Sequence, residues 1–247
     1  MQRYFAINKD NNKLMLKESD IHHIKKVMRM DIKDKIEVIY DKINYLCEID
    51  NLDPFKIKIL EIQEENNEMD LEVTIAIALV KEQKMDLILQ KLTELGVKRI
   101  IPLKMERSIV KLDDKKYEKK KERWTNICKE ASEQSHRNII PEITNQMTLD
   151  ELSQLEYDNK YICSTKEQDN LIVNYIENIS NCDKIIFVIG PEGGISEKEE
   201  NKLVNNGYIP VSLGNRILRV ETAAIFIASI LNYCNMRWHY DIYRRNK

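Results

Sequence analysis

From residue 72 onward the chain alternates two apolar rhythms, and this alternation restricts its folds more than any other feature. Glu72 to Val80, Val97 to Leu103, Tyr161 to Ser164, Lys184 to Ile189 and Ile209 to Leu213 are apolar runs of strand length. Segments of helical period separate them. In the first, Met85, Ile88, Leu89, Leu92 and Leu95 share a face, and Gly96 sits where a helix-ending glycine belongs. Tyr117 to Ser135 follows, with Trp124, Ile127, Cys128 and Ala131 inward, and then Leu171 to Ile179. Ser196-Glu197-Lys198-Glu199 is a capping box that starts the next helix, which Gly207 ends. Val220 to Tyr233 is a final apolar helix. Buried-type strands alternating with helices predict a parallel sheet with helices packed on it.

The chain before residue 72 reads differently. Lys35 to Ile39, Tyr45 to Ile49 and Phe55 to Ile62 alternate with period two, with the turn signal Asp53-Pro54 between the last two. This pattern predicts a small β-barrel. Its one helix is expected over Glu18 to Met30, with Ser19 or Asp20 as N-cap. The acidic stretch Glu61 to Glu68 marks the boundary. Two domains are therefore expected, 1–68 and 72–247.

Composition narrows the function classes. A net charge of −2 provides no global basic field, so a nucleic-acid partner would have to be met by local patches. The 5 cysteines are widely spaced and form no Cys-x-x-Cys, which favours reduced thiols in a cytoplasmic protein over a disulfide framework or a zinc site. His22 and His23 lack a nearby ligand set, so no metal is expected. No apolar run reaches transmembrane length and no signal peptide is visible, so no membrane partner is expected. The lysine run from Lys115 to Arg123 reads as a solvated helix face that adds salt-dependent affinity at most.

Glycine is scarce and concentrated. Of 6 in the chain, only Gly96 precedes Gly190. Gly190-Pro191-Glu192-Gly193-Gly194 follows the strand-like run ending at Ile189. It is neither a Walker A loop nor Gly-x-Gly-x-x-Gly. Pro191 narrows the backbone while Gly193 and Gly194 stay free, so the loop presents main-chain N–H and C=O groups to a ligand with hydrogen-bonding edges. Taken alone, a plain strand-to-helix turn explains it equally well. The second segment, Ser212-Leu213-Gly214-Asn215-Arg216-Ile217-Leu218-Arg219-Val220-Glu221-Thr222, shifts the balance. Ile217 and Leu218 are apolar residues in an expected loop, and either pack under a helix or line a pocket. Arg216 and Arg219 flank them and suit phosphate or carboxylate. Ligands of α/β sheets bind at the carboxyl ends of strands, where both segments lie.

These two segments resemble the SPOUT class of RNA methyltransferases, and within it the 16S ribosomal RNA uridine-N3 methyltransferase family. The resemblance extends along the chain. It includes Met1-Gln2-Arg3-Tyr4-Phe5, His23 to Arg29, Lys91-Leu92-Thr93-Glu94-Leu95-Gly96-Val97, Glu106-Arg107-Ser108 and Glu130 to Arg137, in that order. Lys33-Asp34 departs from the family's Gly-Asp, and Met30-Asp31 interrupts a smoother basic run.

The resemblance implies a PUA-like β-barrel followed by an α/β catalytic domain with a parallel sheet and a C-terminal deep trefoil knot. It implies S-adenosylmethionine as cofactor, held largely by main chain. Gly190, Pro191, Glu192, Gly193 and Gly194 would form one wall, Leu213, Gly214, Ile217 and Leu218 would enclose the adenine, and Ser164 and Thr165 would close a third side. Arg219 would stabilise charge on the uracil or a phosphate. Glu221 would serve either as the base or as an acidic residue complementing a helix dipole. Arg3, Arg29, Arg107 and Arg137 would contact RNA. Partners would be small-subunit ribosomal RNA and a second copy of the chain, with Val220 to Leu231 as the interface helix. The competing expectations are a SPOUT enzyme acting on another ribosomal or transfer RNA nucleotide, and a non-catalytic RNA-binding protein.

Overall fold

The computed structural model describes residues 1–11, 13–176, 179 and 183–245, with the side chains of 239–245 set aside. Cys182 and part of the helix expected at 171–179 lie outside the described residues. The chain divides into two compact units, one of residues 1–68 with 129–140, the other of 69–128 with 141–247.

The first unit is built on a four-stranded sheet. Strand β1 (Gln2–Phe5) runs parallel to β4 (Lys35–Tyr40), which pairs antiparallel with β5 (Ile43–Leu52), and β5 with β6 (Phe55–Gln63). Strands β2 (Asn8–Asp10) and β3 (Lys13–Met15) form a separate hairpin. The core gathers Tyr4, Ile24, Ile36, Val38, Cys47 and Ile49. The inward residues of β4 and β5 supply most of it, as period-two patterning requires. Burial of the Cys47 thiol pushes its pKa up to about 12, as expected of an inert core cysteine.

The expected helix over Glu18 to Met30 is shorter and less regular. Helix α1 covers Glu18–His22 and continues as a π-helical turn, His23–Val27. Neither Ser19 nor Asp20 is the N-cap; Lys17 holds that position without a side-chain cap. The reason is electrostatic. Asp20 is buried and accepts a 2.7 Å hydrogen bond from Lys129 Nζ, which also lies 2.7 Å from Glu133. A buried ammonium needs such partners more than a helix end needs a cap.

The second unit carries a six-stranded, wholly parallel sheet in the order β12-β10-β11-β7-β8-β9. Its strands are β7 (Glu72–Ala78), β8 (Arg99–Leu103), β9 (Glu142–Ile143), β10 (Asn159–Cys163), β11 (Lys184–Ile189) and β12 (Ile209–Val211). The helices are α2 (Glu82–Glu94), α3 (Asp114–Gln134), whose residues from 129 on belong to the first unit, α4 (Leu149–Ser153), α5 (Val173–Ile176), α6 (Glu197–Asn205) and α7 (Val220–Arg245). Short β9 and α4 escaped the periodicity reading, although α4 has its own capping box between Thr148 and Glu151. The capping box at Ser196 and Glu199 is complete in both directions. Gly96 and Gly207 take φ of +87° and +84° just past α2 and α6, a conformation that penalises a Cβ. Strands β7 and β11 are almost wholly buried, which is why they read as unbroken apolar runs.

Candidate functional site

Sheet order decides which loops meet. Strands β12, β10 and β11 are neighbours, and Cys163 is in register with both Ile189 and Val211. The segments starting at Ser164, Gly190 and Ser212 therefore leave the same edge of the sheet side by side. The loop after β10 lies along the extension of β12: Ser164 N donates to Val211 O at 3.0 Å, Ser212 N to Asn170 O at 2.8 Å and Ile172 N to Ser212 O at 3.0 Å. Three segments separated by tens of residues thus line one place, the position where α/β sheets bind ligands.

Close packing shapes the glycine loop. A Cβ on Gly190 would stand 2.5 Å from Ile195 Cγ1, and one on Gly193 would stand 3.1 Å from Arg107 Cβ. Gly194 has φ +72°, and its N–H closes the turn onto Pro191 O at 2.8 Å. The loop after β8 braces this turn from outside: Arg107 Nη1 donates to Gly193 O at 3.1 Å, and Glu106 N donates to Glu199 at 2.8 Å.

The Ser212 segment is more open. Gly214 has φ +107° and open space where a Cβ would lie. Ile217 is 85% exposed, so it does not pack under a neighbouring helix, and Leu213 and Leu218 are half-buried. Arg216 and Arg219 are exposed, and neither makes a side-chain ion pair among the described residues. A surface of main-chain edges, free volume at a glycine and unpacked aliphatic side chains suits an adenine nucleoside.

The charged groups here are paired. Lys84, in the first turn of α2, donates to Glu192 Oε1 at 2.9 Å and lies 3.5 Å from Glu221 Oε2. Burial pushes the Glu192 carboxyl up, but the Lys84 hydrogen bond, a main-chain hydrogen bond and the nearby charges of Lys84 and Lys81 together outweigh it and hold the group below the ordinary carboxylate range. Ser164 donates its hydroxyl to Glu200 at 2.6 Å, so its side chain fixes the loop, while Thr165 is exposed. Lys84 and Glu200 were not anticipated as site residues. A lysine in a helix's first turn, against the dipole, was the available signal for the former; Glu200 had none.

The four arginines expected at an RNA surface divide evenly. Arg3 and Arg137 are each 2% exposed. Arg3 Nε donates to Glu37 at 2.8 Å and its Nη1 to the carbonyl of His136; Arg137 Nη2 donates to Glu68 at 2.5 Å. Both are structural ion pairs of the first unit, because a guanidinium buried there is stable only with its carboxylate. Neither can reach a phosphate. Arg29 is exposed, with φ +52° just after the π-helical turn, and Arg107 is exposed beside the glycine loop. Among the described residues no cluster of His, Cys, Asp and Glu could hold a metal, and no helix is long and apolar enough to cross a membrane.

Comparison with known proteins gives a consistent result. The family model of the RNA methyltransferase domain matches residues 67–232, and that of the RNA methyltransferase PUA domain matches residues 16–60. Ribosomal RNA small subunit methyltransferase E of Bacillus subtilis is 36% identical over 250 residues, covering 94% of this chain and 96% of its own length. The protein of that name from Buchnera aphidicola subsp. Schizaphis graminum is 37% identical over 220 residues, covering 87% of this chain and 88% of its own. The crystal structure of ribosomal RNA small subunit methyltransferase E from Neisseria gonorrhoeae, bound to S-adenosyl methionine, superposes with a TM-score of 0.82 at 29% identity. It covers 93% of this chain, and the match spans 96% of that structure.

Proposed function

This chain belongs to the RNA methyltransferase family of ribosomal RNA small subunit methyltransferase E, with a PUA domain ahead of an α/β catalytic domain, and on that premise we propose that it methylates N3 of a uridine in small-subunit ribosomal RNA. The observation that carries the reading is the convergence of the Ser164, Gly190 and Ser212 segments on adjacent strand ends.

S-adenosylmethionine supplies a methyl group already activated on a sulfonium, so the protein's task is to position the acceptor and manage one proton. Gly190 to Gly194 form one wall, with Glu192 tethered to Lys84. Leu213, Gly214, Ile217 and Leu218 enclose the adenine. Ser164 holds the third loop in place and Thr165 faces outward from it. Arg219, exposed at the entrance to α7, stabilises negative charge on the uracil carbonyls or an adjacent phosphate as the imide N3–H is lost. Glu221, two residues on, is the candidate proton acceptor. Arg29 and Arg107 contact the RNA.

The deep trefoil knot belongs to this reading. Strand β12 lies at the sheet edge, yet α7 packs against α2 and β11, so the chain returns past the ends of β10 and β11 to reach it. The homodimer also belongs here: Phe226, Tyr233 and Met236 are exposed along α7 and offer an apolar face to a second copy. The enzyme works in the reducing cytoplasm, and none of Cys47, Cys128, Cys163 and Cys234 is in a disulfide.

The test is incubation of the purified protein with labelled methyl donor and small ribosomal subunits, followed by mass mapping. N3-methyluridine is the expected product. A different methylated nucleotide, or methylation of transfer RNA instead, would move the substrate while keeping the enzyme class. Absence of donor binding by calorimetry would remove both.

A further inference from the structure

Lys84 occupies an unfavourable place. It lies in the first turn of α2, where the helix dipole disfavours a cation. Two carboxylates from separate segments compensate: Glu192 from the loop after β11, at 2.9 Å, and Glu221 from the start of α7, at 3.5 Å. The side chains of Lys84 and Glu192 are about one-third exposed, at 31% and 33%, whereas that of Glu221 is 14% exposed and its Oε2 is fully buried. The buried oxygen has no closer hydrogen-bond partner, so its link to Lys84 is mainly Coulombic. A single flexible cation thus ties together two segments with separate tasks, the cofactor wall and the entrance to α7 that bears Arg219.

We propose that Lys84 is a positioning residue that couples the conformation of the glycine loop to that of the Arg219–Glu221 segment, so that the two walls are set together. This rests on the methyltransferase reading of the same loops. Glu192 and Glu221 repel each other in the absence of the ammonium, and the surplus negative charge of the three groups would separate the segments that hold them. With the ammonium between them, movement of either loop is felt by the other. Lys84 touches neither the reacting methyl nor the acceptor nitrogen in this scheme.

Hydrogen exchange on the ligand-free full chain tests the coupling directly. In Lys84→Met, the amides of Gly190, Glu192, Gly193 and Gly194 and those of 219–222 are expected to exchange faster together, by about tenfold, the change that a 1.4 kcal/mol shift in an opening equilibrium produces. Lys84→Arg restores both to within about threefold, because it keeps the charge. Glu192→Gln, which alters only the first loop, is expected to speed exchange at 219–222 in the parent but not in Lys84→Met. Acceleration of one segment alone, or a Glu192→Gln acceleration at 219–222 that persists without Lys84, would overturn the proposal.

Calorimetry adds a second readout. The effects of Glu192→Gln and Glu221→Gln on donor affinity should be non-additive by about threefold or more, and the coupling should change sign in the Lys84→Met background, where only the repulsion between the two carboxylates remains. A merely structural Lys84 would lower the melting temperature without creating that pattern. A parent that binds no donor removes the functional reading, while the exchange experiment still judges the coupling.

Discussion

Arginine is used in opposite ways in the two units. In the first, Arg3 and Arg137 are buried and neutralised by Glu37 and Glu68, with Lys129 held between Asp20 and Glu133 in the same manner. In the second, Arg216 and Arg219 lie exposed on a loop that also leaves Ile217 uncovered, and Arg107 reaches a single backbone carbonyl. The barrel's charges are components of its core, whereas those of the loops face what binds. Four arginines in family-like signatures therefore cannot be assigned one role: desolvation decides whether a guanidinium is a structural rivet or a ligand group.

The largest effect expected from this contrast is in the barrel. Arg137→Ala leaves Glu68 buried beside the cavity, although Asn138 N still donates to it at 2.8 Å. Removing one partner of a buried pair costs about 3–5 kcal/mol, so the urea midpoint should fall steeply while donor affinity of the folded protein is kept. Loss of RNA binding at unchanged stability would reverse the assignment of Arg137 to the core.

A second, pH-dependent effect follows from Tyr4. Burial, and after it the nearby Glu133 and Asp20 carboxylates, raise its hydroxyl from 10.0 to about 12. The folded state thus holds this proton more tightly than the unfolded chain. The contribution is fully present below pH 10 and is lost as pH rises from there through about 12. It amounts to about 3 kcal/mol. Denaturant titrations across that window should show a steeper alkaline decline for the parent than for Tyr4→Phe. Equal slopes would mean that Tyr4 does not titrate differently in the fold.

The smallest effect on stability, and the largest on function, is expected at the loops. Arg219→Ala should change the unfolding free energy by no more than about 0.5 kcal/mol, as for other exposed side chains. The same substitution should reduce turnover by about a hundredfold if it removes a donor to developing charge. Denaturation and single-turnover assays on one preparation check both. A large stability loss would place Arg219 among the rivets.

Much of the second unit was legible in advance because its signals are local. Buried parallel strands write themselves as apolar runs, Gly96 and Gly207 mark backbone that must take positive φ, and the Ser196 capping box is a four-residue device. The first unit was less legible. The parallel pairing of β1 with β4 joins residues more than thirty apart, and the π-helical turn after α1 breaks the period that announced a longer helix.

The sequence by itself determined the alternating architecture, the existence of the main strands and the two glycine-bearing loops, because periodicity and backbone conformation are properties of neighbouring residues; the strand ends shifted by one or two residues at β7, β10 and β12. Tertiary structure alone decided that residues 129–140 join the first unit, that Arg3 and Arg137 are buried, and that Lys84 stands between Glu192 and Glu221. Those outcomes depend on charges brought together from distant positions and on how much water is left around them. Neither quantity is written in any local pattern of residues.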